Sequence, residues 1–202
     1  EQTVTDVLPL GEVRLFDIAV KSPLLWSPEQ PQLYTCEFTL KTTEGEQTVT
    51  EQIGFRHFEF VDYGPFKLNG KRLLLKGTHR HEDHAGVGAA MTEEQMVTEI
   101  KMMKEMGVNF IRLGHYQQSN IILRLCDELG ILVWEEIPWC RGGLGGESYQ
   151  AQARRMLTNM INQHYNHPSV ILWGLGNEND WPNDFPEFEQ REIRSLMSEL
   201  NT

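Results

Sequence analysis

A chain of 202 residues, 40% hydrophobic and 23% charged, carries enough apolar side chain to bury a core in one large domain or two small ones. Its formal charge of -11 excludes a nucleic-acid partner, because gripping phosphates needs a basic face and no such stretch occurs. No apolar run approaches the ~20 residues that span a bilayer, so no membrane partner is expected, and with no basic and apolar leader any signal peptide is expected to be gone or never present.

The first sixty or so residues read as antiparallel β. Residues 13–20 (VRLFDIAV) predict an early strand. In LYTCEFTLKT, Tyr34, Cys36, Phe38 and Leu40 share one face while Thr35, Glu37 and Thr39 share the other. Glu44-Gly45 offers a hairpin turn, and Val49, Ile53 and Phe55 resume the alternation. Short strands at this spacing point to an immunoglobulin-like β-sandwich segment over residues 1–61. The strands are too few for two full sheets, so the chain is expected to begin in mid-domain.

The pattern then changes. Asn69-Gly70 fits a type I′ hairpin turn, and Leu73-Leu74-Leu75 is continuously apolar, as a strand covered on both faces would be. Thr92 and Gln95 form a capping box ahead of Met96, Ile100, Met103 and Met106, a core-facing helix that stops at Gly107. VNFIRLG is a second strand, and Ser119 caps a second helix that ends at Gly130. ILVWEE is a third strand. A third helix runs from about Ser148 to Tyr165, where Asn166-His167-Pro168 breaks it. VILWGLG is a fourth strand, and residues 185–200 a fourth helix with an acidic, solvated face.

Four β-α units in succession imply a parallel sheet with helical cover. No G-x-G-x-x-G follows the first strand, which counts against a dinucleotide fold. Each strand ends in polar chemistry: His79-Arg80-His81-Glu82, then Arg112 and His115, then Glu135-Glu136, then Asn177-Glu178. A TIM (β/α)8 barrel collects its site at that edge from several strands. A whole barrel takes ~250 residues, so residues 62–202 are expected to be the N-terminal half of a catalytic barrel belonging to a longer protein, with two strand edges unpaired.

Glu178 is the leading catalytic candidate. A carboxyl group at the tip of an apolar strand is partly desolvated, which suits a general acid. Asn177 beside it can hydrogen-bond a substrate hydroxyl, and Trp173 and Trp181 add aromatic surface of the kind sugars stack on; the alternative is an ordinary acid near a strand end. His79 and His81 lie two apart, on one face of an extended strand, as metal ligands do. The HExxH spacing is absent, however, and His81 is read instead as a hydrogen-bonding or charge-stabilising group. Arg112 needs a carboxylate partner, either Glu136 as a structural pair or a catalytic carboxylate that it tunes. His115 is either ligand-binding or loop-capping. The glycines between Gly142 and Gly146 lack the Lys-Ser/Thr of a phosphate loop and read as a flexible loop beside the site. Three cysteines, with no CxxC spacing, predict neither a disulfide framework nor a zinc site. Cys36 and Cys126 are expected to be buried thiols, and the compartment stays open between cytoplasmic and secreted.

The stretches LLWSPEQPQLYTCEFTL, IGFRHFEF, FKLNGKRLLLKGTHRHED, MMKEMGVNFIRLGHY, LCDELGILVWEE and NHPSVILWGLGNE, in that order and spacing, resemble glycoside hydrolase family 2. That family holds β-galactosidases, β-glucuronidases and β-mannosidases. The resemblance implies a retaining exo-β-glycosidase acting by double displacement on terminal β-glycosides, β-galactosides being the first expectation. It makes Glu178 the acid/base and Asn177 the partner of the sugar 2-hydroxyl. His81 and His115 contact the sugar or stabilise the transition state, Arg112 sits beside the nucleophile, and Glu136 is a further polar residue of the site. The nucleophile belongs to a seventh strand beyond this chain; Glu82 and Glu136 do not match its motif. Two departures stand out. Gln117 follows His115-Tyr116 where the family has Pro, and IPWCRGG lacks the Glu and His that bind magnesium in some members. No metal or cofactor is therefore expected. The implied partner is an oligosaccharide or β-glycoside, with homo-oligomerisation left open. A non-catalytic carbohydrate-binding or scaffold fragment is the second reading, and a metal-dependent hydrolase built on His79, His81 and Glu178 the third.

Overall fold

The computed structural model describes residues 3–7, 9, 15, 17–141, 143, 145–179 and 187–200. Two strands, β1 (Tyr34–Thr42) and β2 (Gly45–Ile53), pair antiparallel from Tyr34↔Ile53 to Thr42↔Gly45. Their turn is Thr43-Glu44, one residue earlier than expected, with Gly45 already paired. The alternation is present near the start, but Phe38 is 62% exposed, and Leu40 and Val49 are exposed too. This is a two-stranded ribbon with both faces open at its far end, and Cys36 is only half-buried. Residues 15 and 17–20 lie outside any strand, and the rest of the expected first strand falls outside the described residues.

A small antiparallel sheet follows: β3 (Phe58–Phe60), β4 (Phe66–Leu68) and β5 (Lys71–Arg72), in that order. Asn69 and Gly70 both have positive φ, 52° and 77°, as a type I′ turn requires. The expected strand at Leu73-Leu75 does not form. Leu74 is 64% exposed, while Leu73 and Leu75 pack against the cluster of Trp26, Phe66, Leu68, Leu132 and Ile171. The apolar run is thus an approach segment that seals one end of the next sheet, and the first parallel strand starts later.

That sheet is parallel and ordered β6 (Gly77–Arg80), β7 (Phe110–Leu113), β8 (Leu132–Glu136), β9 (Val170–Gly174). Between the strands run α1 (Glu93–Glu105), α2 (Asn120–Leu129) and α3 (Glu147–His164), and α4 (Glu187–Leu200) follows. The Thr92–Gln95 capping box opens α1, Ser119 caps the start of α2 and Gly130 ends α2 in the left-handed conformation. The register fixes what each side chain faces. Ile111, Leu113 and Val133 point to α1 and α2, joining Ile100, Ile122, Leu123 and the buried Cys126. Burial pushes the Cys126 thiol pKa up, so it stays an inert packed group. His79, Arg112 and Trp134 align across β6, β7 and β8 on the other face.

The N-terminal region is bolted to the starting ends of these strands. The Trp26 indole N–H donates to the Asp127 carbonyl at 2.8 Å, and Arg56 donates to the carbonyls of Pro168 and Val170 at 2.8 and 2.7 Å. Apolar contact closes one end of the sheet and leaves the polar strand ends at the other. No helix among the described residues is long and apolar enough to cross a membrane.

Candidate active site

Arg112 organises the polar end. From the inward face of β7 its guanidinium donates to Glu136 Oε2 through Nη2 at 2.7 Å and Nε at 3.2 Å, and to Asn177 Oδ1 at 3.0 Å. Its Cζ lies 4.4 Å from the Trp134 ring centre, a cation–π contact from the neighbouring strand. The other Glu136 oxygen lies 2.7 Å from His115 Nδ1. One buried carboxylate therefore fixes both an arginine and a histidine. Of the two pairings open to Arg112, Glu136 is the one made.

His79, His81 and His115 face one another, with ring centres 5.0, 5.0 and 5.3 Å apart. Partial burial, then the neighbouring His115, Arg112 and His81, push the His79 pKa below its ordinary value, and Glu136 pulls weakly the other way. Tyr116 lies beside His81 and its hydroxyl accepts the Glu82 N–H at 2.8 Å. Glu82 turns away from this group. Its Oε2 accepts the Ser119 N–H at 2.9 Å at the start of α2, where a helix terminus favours negative charge.

Asn177 and Glu178 sit beyond the end of β9. The Asn177 N–H donates to the Trp139 carbonyl at 2.8 Å and its carbonyl accepts from Arg141 at 3.0 Å, which ties this loop to the one after β8. Glu178 has φ 52°, a left-handed conformation uncommon for a residue with a Cβ and frequent at functional sites. Its side chain is 37% exposed, more open than a strand-tip position implies, with Arg141 Nε 3.7 Å from Oε2. Asn177 Nδ2 reaches Cys140 Sγ at 3.4 Å. Trp181 lies outside the described residues.

The departure at Gln117 has a structural counterpart. Its amide donates to Gln163 Oε1 at 2.9 Å and lies 3.3 Å from His164 Nε2, so side-chain bonds hold the loop after Tyr116 against α3. His164 is fully buried, with Nδ1 2.8 Å from Glu135 and Nε2 2.7 Å from Asn120 Oδ1. Adjacent acids thus part: Glu135 faces the helices and Glu136 the site. Of the glycine-rich loop, Gly143 accepts the Trp139 indole N–H at 2.7 Å, while Gly142 and Leu144 lie outside the described residues.

The sequence had named Arg112, His115, Glu136, Asn177, Glu178 and His81, and these converge on one strand edge. Trp134, Cys140 and Arg141 were not singled out. Strand parity held the signal for Trp134, two residues before Glu136 on the same face.

Residues 60–198 match the family model for the TIM barrel domain of glycosyl hydrolases family 2, and residues 1–56 match a second model of the same family. The chain belongs to glycosyl hydrolases family 2. Within this family it is similar to the crystal structure of Parabacteroides merdae β-glucuronidase, with 69% identity and a TM-score of 0.90 over 96% of this chain and 24% of that one. It is 72% identical to Bacteroides uniformis β-glucuronidase 3, with a TM-score of 0.86 over 91% of this chain and 23% of that one. The β-galactosidase of Psychromonas ingrahamii is more distant, 37% identical over 188 residues, 88% of this chain and 18% of that protein. The chain thus spans about a quarter or less of these relatives' lengths.

Proposed function

We propose that the protein carrying this chain is a retaining exo-β-glycosidase, and that its substrates are terminal β-glucuronides in place of the β-galactosides first expected. The observation that carries the substrate class is the identity of 69% and 72% to two β-glucuronidases, against 37% to a β-galactosidase. Residues 1–61 would belong to an immunoglobulin-like sandwich and residues 62–202 to the N-terminal half of the catalytic barrel.

In this mechanism Glu178 protonates the leaving oxygen and then activates water as a base, while a second carboxylate ~5–5.5 Å away attacks the anomeric carbon. That nucleophile is expected from a later strand of the barrel. Asn177, held through Oδ1 by Arg112 and through one amide proton by Cys140 Sγ, turns its second amide proton toward the sugar 2-hydroxyl. His81 and His115 line the sugar's approach. Glu136 holds Arg112 and His115 in position, so that their donors spend no reorganisation energy when charge develops. A carbohydrate-binding role without turnover is the competing reading.

The test compares kcat/KM of the intact protein on aryl β-glucuronide and aryl β-galactoside. At least tenfold preference for the glucuronide is expected, and the reverse preference would restore the galactoside expectation. Glu178→Gln should lower kcat on the order of 10²–10⁴-fold. Binding without turnover in the unmodified protein would favour the carbohydrate-binding reading.

A further inference from the structure

Three imidazoles from two different strand ends meet at the mouth of this site. The potential ligand nitrogens of His79, His81 and His115 all lie within 4.8 Å of one another. His79 and His81 are exposed and His115 is half-buried, so the group opens to solvent on one side. We propose that His79, His81 and His115 form a divalent transition-metal site of the Zn2+ type, with a water or anion as the fourth ligand, whose occupation competes with the sugar.

Three observations support it. Three histidines with one open position are the donor set of open tetrahedral zinc sites, at Zn–N distances of about 2.0–2.1 Å. Ligand nitrogens spaced for that geometry stand ~3.3 Å apart, as those bond lengths require, so small side-chain rotations close the present spacing. His115 has its outer carboxylate already in place. Nδ1 lies 2.7 Å from Glu136 Oε1 and 3.3 Å from Arg112 Nη2; the shorter, carboxylate contact favours a proton on Nδ1, which leaves the lone pair on Nε2, the arrangement that orients metal-bound histidines. Glu136 is completely buried, so its charge acts on the site with little screening and offsets the nearby Arg112.

Competition with the sugar rests on the proposed function, in which His81 and His115 face the substrate; the binding itself does not. Zn2+ is the probe, added to the intact, metal-stripped protein and followed by calorimetry. One ion per chain with a dissociation constant at or below about 10 μM is expected, with at least tenfold weaker binding in His79→Ala and in His81→Ala. Co2+ should give the visible absorption band of a four-coordinate nitrogen site, and both variants should lose it. A far-UV circular dichroism melt identifies any variant that fails to fold; His79→Gln then replaces it, with the same loss expected. Cys140, exposed and 3.4 Å from Asn177 Nδ2, is the rival ligand. Binding abolished by Cys140→Ser but intact in His79→Ala would overturn the assignment, as would no binding at all. If Zn2+ binds but leaves the KM for the glycoside unchanged, the competition claim fails while the metal site stands. If no glycoside is turned over, the calorimetry still decides the metal site.

Discussion

Arg112 and Glu136 are joined at 2.7 Å across β7 and β8, yet they are buried unequally: the Glu136 side chain is 0% exposed and that of Arg112 22%. The inequality makes the two halves of the pair respond differently to removal. Arg112→Met would leave a fully buried carboxylate with His115 alone, and losing one partner of a buried pair costs about 3–5 kcal/mol. Glu136→Gln would leave a guanidinium that reaches water, stacks on Trp134 and keeps Asn177, for a smaller loss of about 1–3 kcal/mol. Urea denaturation of both variants measures the difference. Equal losses, or the larger loss in Glu136→Gln, would contradict the asymmetry.

Glu135 and His164 form the matching pair on the helix side, both fully buried. His164→Ala removes Glu135's imidazole partner and the contacts of Nε2 with Asn120 and Gln117, while Gln117 keeps Gln163. The expected loss is again about 3–5 kcal/mol. His164→Ala combined with Glu135→Ala should recover part of it, because the orphaned charge is gone. A double variant less stable than the sum of the single losses would show that the pair is not the source of the effect.

The barrel-type half of the chain was legible because its signals are local. The Thr92–Gln95 box, the Ser119 cap and the Gly130 stop act within a few residues, and each is found where the spacing put it. The convergence of the candidate residues was legible for a related reason: in a parallel sheet the polar strand ends fall at one edge, so residues named at those ends come together. What failed depended on distant partners. Leu73-Leu74-Leu75 looks like a buried strand, but Asn109 on the approach to β7 engages the backbone of Leu74 and Lys76 instead. Nor does alternation in Phe38 and Leu40 say whether anything covers them. Glu178 was placed at a strand tip, whereas β9 ends at Gly174 and a loop carries the chain onward.

Trp26 couples the two halves. Fully buried, it packs with Phe66, Leu132 and Ile171 and donates its indole N–H to Asp127. Trp26→Ala should cost about 3–5 kcal/mol, the range for deleting a large aromatic from a core. Trp26→Phe keeps most of the apolar contact but orphans the Asp127 carbonyl, at about 1–3 kcal/mol. Thermal melts of both variants give the order, and a Phe variant as damaged as the Ala variant would assign the effect to the hydrogen bond alone.

The junction also depends on the lack of a side chain at Gly130. Its φ is 68°, and a Cβ built there would lie 2.6 Å from the Pro28 carbonyl oxygen and 2.7 Å from the Pro28 Cα. Both obstacles are backbone, so neither yields by a rotamer change. Lys104 Nζ holds the same place from the other side, donating to Pro28 at 2.9 Å and to Gly130 at 3.3 Å. Gly107 serves as the control, because its φ is 84° and a Cβ there meets nothing within 4 Å. Gly107→Ala should therefore pay only the left-handed backbone cost, about 1–2 kcal/mol. Gly130→Ala should pay that cost and a further ~1–3 kcal/mol for pushing the Pro28 segment away. Hydrogen exchange across residues 24–30 separates the two contributions: Gly130→Ala should raise exchange there, and Gly107→Ala should leave it unchanged. Equal destabilisation by the two variants would mean that the Pro28 contact adds nothing to the junction.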